Sequence, residues 1–341
     1  MSKILSIVVP TYNVEKYLDR CLISLLNDKS ILNDIEIIVV NDGSKDNSLQ
    51  IARKYEKEYP KTIVVVDKEN GGHGSTINVG MEKATGKYFR VLDSDDWFNI
   101  DEFPKYINDL KKTDADLVLT NFRKEVVYDS SIDPFTYKGL LEPNKVYEFD
   151  KIDFDKFGEI CFALATMSIK TEILRKANFK LDEKRFYVDM EYILFPIPYI
   201  DTVLYLDYDI YRYYIGRPDQ SVSVPTMIKN REHHDFVARR LVKFYADTKT
   251  TDNKKKYIRK VLKVLLNTQY YIYCDNKVPE HAKKDIRSFD KYLKETSKEL
   301  YEETNYGFIK ANRKTNFTFA QMPKNAFSKI AVNLYKKRGG K

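Results

Sequence analysis

Lys87-Tyr88-Phe89-Arg90-Val91-Leu92-Asp93-Ser94-Asp95-Asp96-Trp97 runs from an apolar, aromatic segment straight into three carboxylates. A strand that ends in acids sets them at the rim of a sheet, where open α/β folds bind their ligands. Carboxylates packed this closely repel one another unless a cation sits among them. A hard divalent ion such as Mg2+ or Mn2+ takes oxygen ligands and shares them with substrate phosphates, which makes Asp93 and Asp95 candidate metal ligands. The competing reading is that the acidic pair caps the next helix, a role open to Asp96.

Upstream of this stretch, apolar runs and helical spacings alternate. Leu5 to Val9 reads as a buried strand broken by Pro10-Thr11-Tyr12-Asn13, and Leu18, Cys21, Leu22, Leu25 and Leu26 then share a helix face. Ile35 to Val40 is a second strand, ending in Asn41-Asp42-Gly43-Ser44. A helix over 47–59, a strand from Ile63 to Val66, and a Gly-rich loop, Asn70-Gly71-Gly72-His73-Gly74-Ser75, follow. That loop leads into a helix through Ala84, closed by Gly86. The rhythm predicts βαβ units and a Rossmann-like, mostly parallel sheet with helices on both faces. The polar loops after successive strands then fall on one edge, as expected if one ligand lies across it. Neither G-x-G-x-x-G after the first strand nor G-x-x-x-x-G-K-[ST] occurs, which argues against a dinucleotide fold and a P-loop ATPase. Asp42, at the end of the second strand, is placed like the ribose-binding acid of a dinucleotide site and suggests a nucleoside contact.

The totals fit two domains of an ordinary soluble protein: 341 residues, 43% hydrophobic and 32% charged. No apolar run approaches the ~20 residues that span a bilayer. The chain enters its first strand without a signal peptide, and its three cysteines are far apart, so a cytoplasmic location is expected. Cys21 is expected in the core. The net charge of +8 is concentrated in the C-terminal third, which suggests an anionic partner there, a membrane surface or a polyanionic substrate. No zinc-ligand spacing, helix-turn-helix signal or RNP-like motif points to nucleic acid.

Beyond Asp116 the pattern loosens. Leu117 to Thr120 reads as a strand, and 122–147 as hairpin-like, with turns near Asp133-Pro134 and Lys138-Gly139. An apolar run over 162–169 precedes a helix near 171–176, and Asp189 introduces a helix toward Tyr199, which it could simply cap. From Met227 onward helical periods dominate, over about 229–247, 254–274, 279–302 and 322–337. This predicts a C-terminal α-helical domain whose tyrosines serve core and interface, with room for a homo-oligomer contact. In the tail, Phe327, Ile330, Ala331, Leu334 and Tyr335 recur at helical spacing beside six basic residues, so 322–341 suits either packing on its own protein or an anionic membrane surface.

Pro10-Thr11-Tyr12-Asn13, Val40-Asn41-Asp42-Gly43-Ser44-Lys45-Asp46, Glu69-Asn70-Gly71-Gly72 and Leu92-Asp93-Ser94-Asp95-Asp96 together resemble the ordered motif set of family 2 glycosyltransferases, inverting enzymes with the GT-A fold. The resemblance covers roughly residues 1 to 110 strongly and continues more loosely to about 225. It implies a nucleotide-sugar-binding half over 1–110, an acceptor and catalytic half over 111–226, and a helical domain over 227–341. It further implies that Thr11, Tyr12 and Asp42 meet the base and ribose of a UDP-sugar, with Pro10 and Asn13 also in the donor site. Asn70, Gly71, Gly72 and Ser75 would line the donor, and Asp93, Ser94 and Asp95 would form the D-x-D site holding Mn2+ or Mg2+ on the diphosphate. Arg217 would offer a fork to that diphosphate. Where relatives carry an acidic pair ahead of a helix, this chain has Val188-Asp189, making Asp189 the implied general base and Glu191 the second choice. Thr76-Ile77-Asn78 departs from the Ala-Arg-Asn found in many relatives. The implied reaction moves a sugar to a hydroxyl of a glycan, a lipid-linked or cell-surface polysaccharide, or a teichoic-acid-type polymer, at or near the inner membrane face. A sugar-1-phosphate nucleotidyltransferase competes, but the Gly-Arg-rich loop it needs after the first strand is missing. A non-catalytic scaffold that keeps the fold is the other alternative; Val188 and Ile77 favour it and the intact Asp93-Ser94-Asp95 opposes it.

Overall fold

Seven consecutive buried residues, Leu5–Thr11, form β1, with neighbours on both sides and helices on both faces, which is why the run is apolar without alternation. The computed structural model describes residues 3–126, 132–158, 161–215, 224–275, 277–279, 282–318 and 320. In order, β1 is followed by α1 (Leu18–Leu26), β2 (Ile35–Asn41), α2 (Ser48–Glu58), β3 (Ile63–Asp67), α3 (His73–Lys83) and β4 (Tyr88–Val91). Then come β5 (Trp97–Phe98), α4 (Phe103–Leu110), β6 (Leu117–Val126), β7 (Ile132–Phe135), β8 (Val146–Glu148) and β9 (Met167–Lys170). α5 (Thr171–Ala177), α6 (Asp189–Leu194) and β10 (Thr202–Ile215) complete this part of the chain.

The strands make one sheet in the order β3-β2-β1-β4-β9-β6-β10-β5, with β7 added to β6 and β8 to β10. β3, β2, β1 and β4 are all parallel, as the strand–helix alternation predicts. The other half is mixed: β9 runs antiparallel to both β4 and β6, while β10 is parallel to β6. Pro10 and Thr11 belong to β1 instead of ending it. Val8 accepts the Leu92 N–H on the β4 side at 2.9 Å, so Pro10 faces that same side two residues later, where β4 has ended. Its missing N–H costs no ladder bond there. The strand expected over 117–120 extends to Val126 because β7 turns back on it as a hairpin. Pro134 lies within that edge strand, not in a turn.

The core under α1, α2 and α4 is built from Leu5, Ile7, Val9, Leu22, Ile37, Tyr88 and Tyr106 with their neighbours, and Cys21 is wholly buried in it, as expected. This unit comprises Met1–Pro218 with Thr250–Lys254. The second unit, Asp219–Lys249 with Lys255–Lys341, is helical in its described residues: α7 (Val224–Lys229), α8 (Arg231–Asp247), most of α9 (Asp252–Tyr273), α10 (Lys283–Thr296), α11 (Lys298–Glu303) and α12 (Gly307–Lys314). Tyr257, Tyr270 and Tyr273 are buried in its interior, and Asp290 accepts from Tyr270 Oη (2.6 Å) and Arg313 Nε (2.7 Å). The single helix expected over 279–302 is two, since Ser297 caps a new start by accepting the Leu300 N–H at 3.3 Å. Among the described residues no helix is long and apolar enough to cross a membrane. Arg217 and the tail 322–341 lie outside the described residues.

Candidate active site

The loops after β1, β2 and β3 are laced together at the C-terminal edge of the parallel strands. Asn13, in a left-handed conformation (φ 53°), donates its N–H to Ser44 Oγ (3.1 Å) and accepts the Lys45 N–H on Oδ1 (2.8 Å). Thr11 is buried, whereas Tyr12 stands 49% exposed at the rim. Asp42 is only 2% exposed, and its carboxylate accepts the N–H groups of Gly71 and Gly72, both at 2.8 Å, and Lys68 Nζ at 2.7 Å. Asn70 Nδ2 donates to the Asp42 carbonyl at 3.0 Å. A carboxylate has about four acceptor positions, and these donors use most of them. In this structure Asp42 is the brace of the glycine loop.

That loop turns sharply into α3. Gly72 has φ 83°, a conformation closed to most side chains, and Ser75 Oγ donates to the Gly72 carbonyl at 2.7 Å. Gly74 lets the first turn of α3 lie against residues 181–184, since a Cβ there would stand 2.2 Å from the Asp182 carbonyl oxygen. Asn78 fastens the same contact, exchanging bonds with the Leu181 carbonyl (2.9 Å) and N–H (2.8 Å).

The acidic turn after β4 is held from three directions. Asp96 is buried, and its oxygens accept Tyr211 Oη (2.6 Å) and the Tyr214 N–H (2.8 Å) of β10. Burial, reinforced by Asp95 and Asp93, pushes its carboxyl well above the usual range. Asp96 therefore anchors the turn to β10 and does not cap α4, whose N-cap position is Glu102. Tyr211 Oη also accepts the Asp93 N–H at 3.2 Å. From α1, Arg20 Nη2 donates to the Asp95 carbonyl (3.1 Å), its guanidinium resting 3.6 Å from the Trp97 ring centroid and 4.6 Å from that of Tyr214. Ser94 is buried between Asp93 and Asp95, both of which keep partial exposure.

Across from this turn lies the start of α6. Asp189 is its first residue and partly exposed, with Val188 in the N-cap position. Burial raises its carboxyl above the ordinary value, opposed by His73 nearby. Glu191 is wholly buried, and its Oε2 accepts the Asp182 N–H at 2.9 Å. Glu191 thus holds the segment that Gly74 packs against, and of the two acids it is Asp189 that reaches the open edge. Just before it, Tyr187 carries φ 69°, an uncommon conformation for a bulky side chain and one that concentrates at functional sites.

His73 joins the two sides. Its Nε2 lies 2.9 Å from Asp93 Oδ1, and both side chains are 34% exposed. Burial pulls the imidazole down, but Asp93, with Asp189 and Asp95 behind it, outweighs this and sets it above its usual value. The fold thus gathers Thr11, Tyr12, Asn13, the Asp42-braced loop, Asp93 and Asp95 along one edge, with Asp189 near enough to feel His73. Sequence reasoning passed over His73, Lys68 and Arg20; the lone histidine in a glycine loop was the available signal. Among the described residues no three His, Cys, Asp or Glu side chains gather into a metal-holding group. Asp93 and Asp95 fit a hard cation that takes its other ligands from water and substrate phosphates, as Mg2+ and Mn2+ do.

A family model described as glycosyl transferase family 2 matches residues 6–176, and the chain belongs to that family. The uncharacterized glycosyltransferase EpsJ of Bacillus subtilis is 30% identical over 251 residues, 72% of this chain and 70% of its own length. A poly(ribitol-phosphate) beta-glucosyltransferase of Bacillus spizizenii is 37% identical over 116 residues, 34% of this chain and 18% of that enzyme. The fold is that of GT-A enzymes: residues 1–349 of S. aureus TarS, in complex with UDP, superpose with a TM-score of 0.66 at 18% identity, covering 96% of this chain and 91% of that one. The protein is a glycosyltransferase.

Proposed function

We propose that this enzyme transfers a sugar, with inversion, from a UDP-sugar to a hydroxyl of a glycan, a lipid-linked or cell-surface polysaccharide, or a teichoic-acid-type polymer. The observation that carries the reading is that Asp93, bonded to His73 at 2.9 Å, and Asp189, 96 positions further along the chain, both act on that one imidazole. One acid belongs to the strand end that also offers Asp95; the other heads a helix and has its carboxyl raised toward the range of a working base. UDP in the TarS complex supports the donor, and the ribitol-phosphate polymer in the name of the B. spizizenii relative supports the acceptor class.

Asp93 and Asp95 would hold the divalent ion, which when bound neutralises charge on the diphosphate. Tyr12, exposed at the rim, would cover the base, and the loop braced by Asp42 would line the donor. Asp189 takes the proton from the acceptor hydroxyl as that oxygen attacks the anomeric carbon and the bond to the diphosphate breaks. Single displacement of this kind inverts the centre and needs no protein nucleophile. Holding donor and acceptor together supplies much of the acceleration. The test is a panel of nucleotide sugars with Mn2+, read first by thermal shift and then by release of free nucleotide. UDP-sugars should raise the melting temperature and yield UDP. Stabilisation by other nucleotides instead, or release of pyrophosphate, would reject the reading.

A further inference from the structure

We propose that His73 is a positioning residue of the donor site, whose imidazole fixes Asp93 in the orientation a divalent ion and diphosphate require. The inference rests on the reading of Asp93 and Asp95 as donor-side acids. His73 opens α3, and through the 2.9 Å contact of Nε2 with Asp93 Oδ1 it ties that helix to the end of β4. Its own backbone is held on both sides. Gly72 before it is backed by Lys184, whose N–H would stand 3.1 Å from a Cβ there, and Gly74 after it packs on the Asp182 carbonyl. Thr76 Oγ1 donates to the His73 carbonyl at 2.6 Å.

The other end of the contact is equally constrained, since Tyr211 Oη accepts the Asp93 N–H. With Oδ1 engaged by the ring, Oδ2 of Asp93 is presented in a defined direction. Partners of this kind, one bond removed from a metal ligand, set its orientation and raise affinity. The cations nearby are differently engaged: Arg20 holds the Asp95 carbonyl and two aromatic rings, and Lys68 holds Asp42. A leucine at 73 would fill similar space without a hydrogen bond. A glutamine, whose amide reaches about as far as Nε2, would keep it.

Titration of full-length protein with Mn2+ and UDP tests this in wild type, His73→Leu and His73→Gln. His73→Leu is expected to weaken Mn2+-dependent UDP binding by about 10–100-fold, with His73→Gln within about threefold of wild type. Metal-free UDP binding should be the same in all three. Metal-dependent binding by His73→Leu equal to wild type, or a loss in His73→Gln as large as in His73→Leu, overturns the positioning role. Should His73→Leu fail to fold, His73→Asn, whose amide stops short of Asp93, is measured against the same thresholds. Absence of Mn2+-dependent UDP binding by wild type would instead remove the donor-site reading itself.

Discussion

At the scale of single residues the two sides of the site separate cleanly in what they should do. Asp189→Asn removes the proton acceptor and leaves the donor side alone, so kcat should fall by ~10²–10⁴-fold with UDP affinity unchanged. Nucleotide release and equilibrium titration measure the two; near-normal turnover would take the base role from Asp189. Asp95→Ala acts on the opposite side. The turn is held through the Asp95 carbonyl, the Asp93 N–H and the Asp96 carboxylate, none of which the substitution touches. The variant should therefore melt like wild type yet lose Mn2+-dependent UDP binding. The acids themselves were legible because a strand ending in carboxylates leaves them little choice of place. Asp189 was legible only through its position relative to a family motif. What the sequence could not show was who partners whom: nothing in it announces that Asp42 accepts the amides of Gly71 and Gly72, and His73 looks like a loop residue until Asp93, twenty positions later, is seen beside it.

At the scale of elements, the site depends on one docking contact, between the first turn of α3 and residues 181–184. Gly74→Ala places a methyl against the Asp182 carbonyl, and overpacking of this sort costs about 1–3 kcal/mol. Denaturant unfolding should show that loss, and because His73 and Asp189 hang on the two partners, UDP binding and turnover should fall with it. Unchanged stability would mean that the two segments do not press together. The helical unit offers a pH signature of its own. Burial pulls the His234 imidazole in α8 down to about 4, against a hydrogen bond between its Nδ1 and Gln269 Oε1 at 2.5 Å that acts the other way. As pH falls from 6.5 toward about 4 the unfolded chain takes up a proton that the folded unit refuses, so stability declines with acid. The full loss is about 3 kcal/mol, and a His234→Gln variant should lack that part of the acid transition. Elements with both faces buried, such as β1 and β2, were readable as apolar runs. β10 carries no such run, because register shifts near Asp209 and a half-exposed course break its pattern. The break at Ser297 was hidden because helical spacing continues through it.

At the scale of the whole molecule the charge distribution carries the last prediction. The helical unit holds 27 Lys and Arg against 12 Asp and Glu, a net +15, so the rest of the chain is net negative within an overall +8. Six of those basic residues, and no acidic one, fall in 322–341. A basic segment with an apolar stripe suits an anionic bilayer, at about 1 kcal/mol per basic residue near the lipid. The attraction is electrostatic and decays over a Debye length of roughly 8–10 Å at moderate salt, so salt should release it. The proposed lipid-linked acceptors give such binding a use, since an enzyme held at the surface meets its substrate there without crossing the bilayer. The full chain is therefore expected to co-sediment with anionic liposomes, to ignore neutral ones, and to come off as salt is raised. A chain ending at 321 should bind more weakly, because it keeps the basic helices but loses six basic residues and the apolar stripe. Equal pelleting of both forms would clear the tail of any anchoring role. Binding that no amount of salt reverses would show that charge is not what holds the protein at the surface.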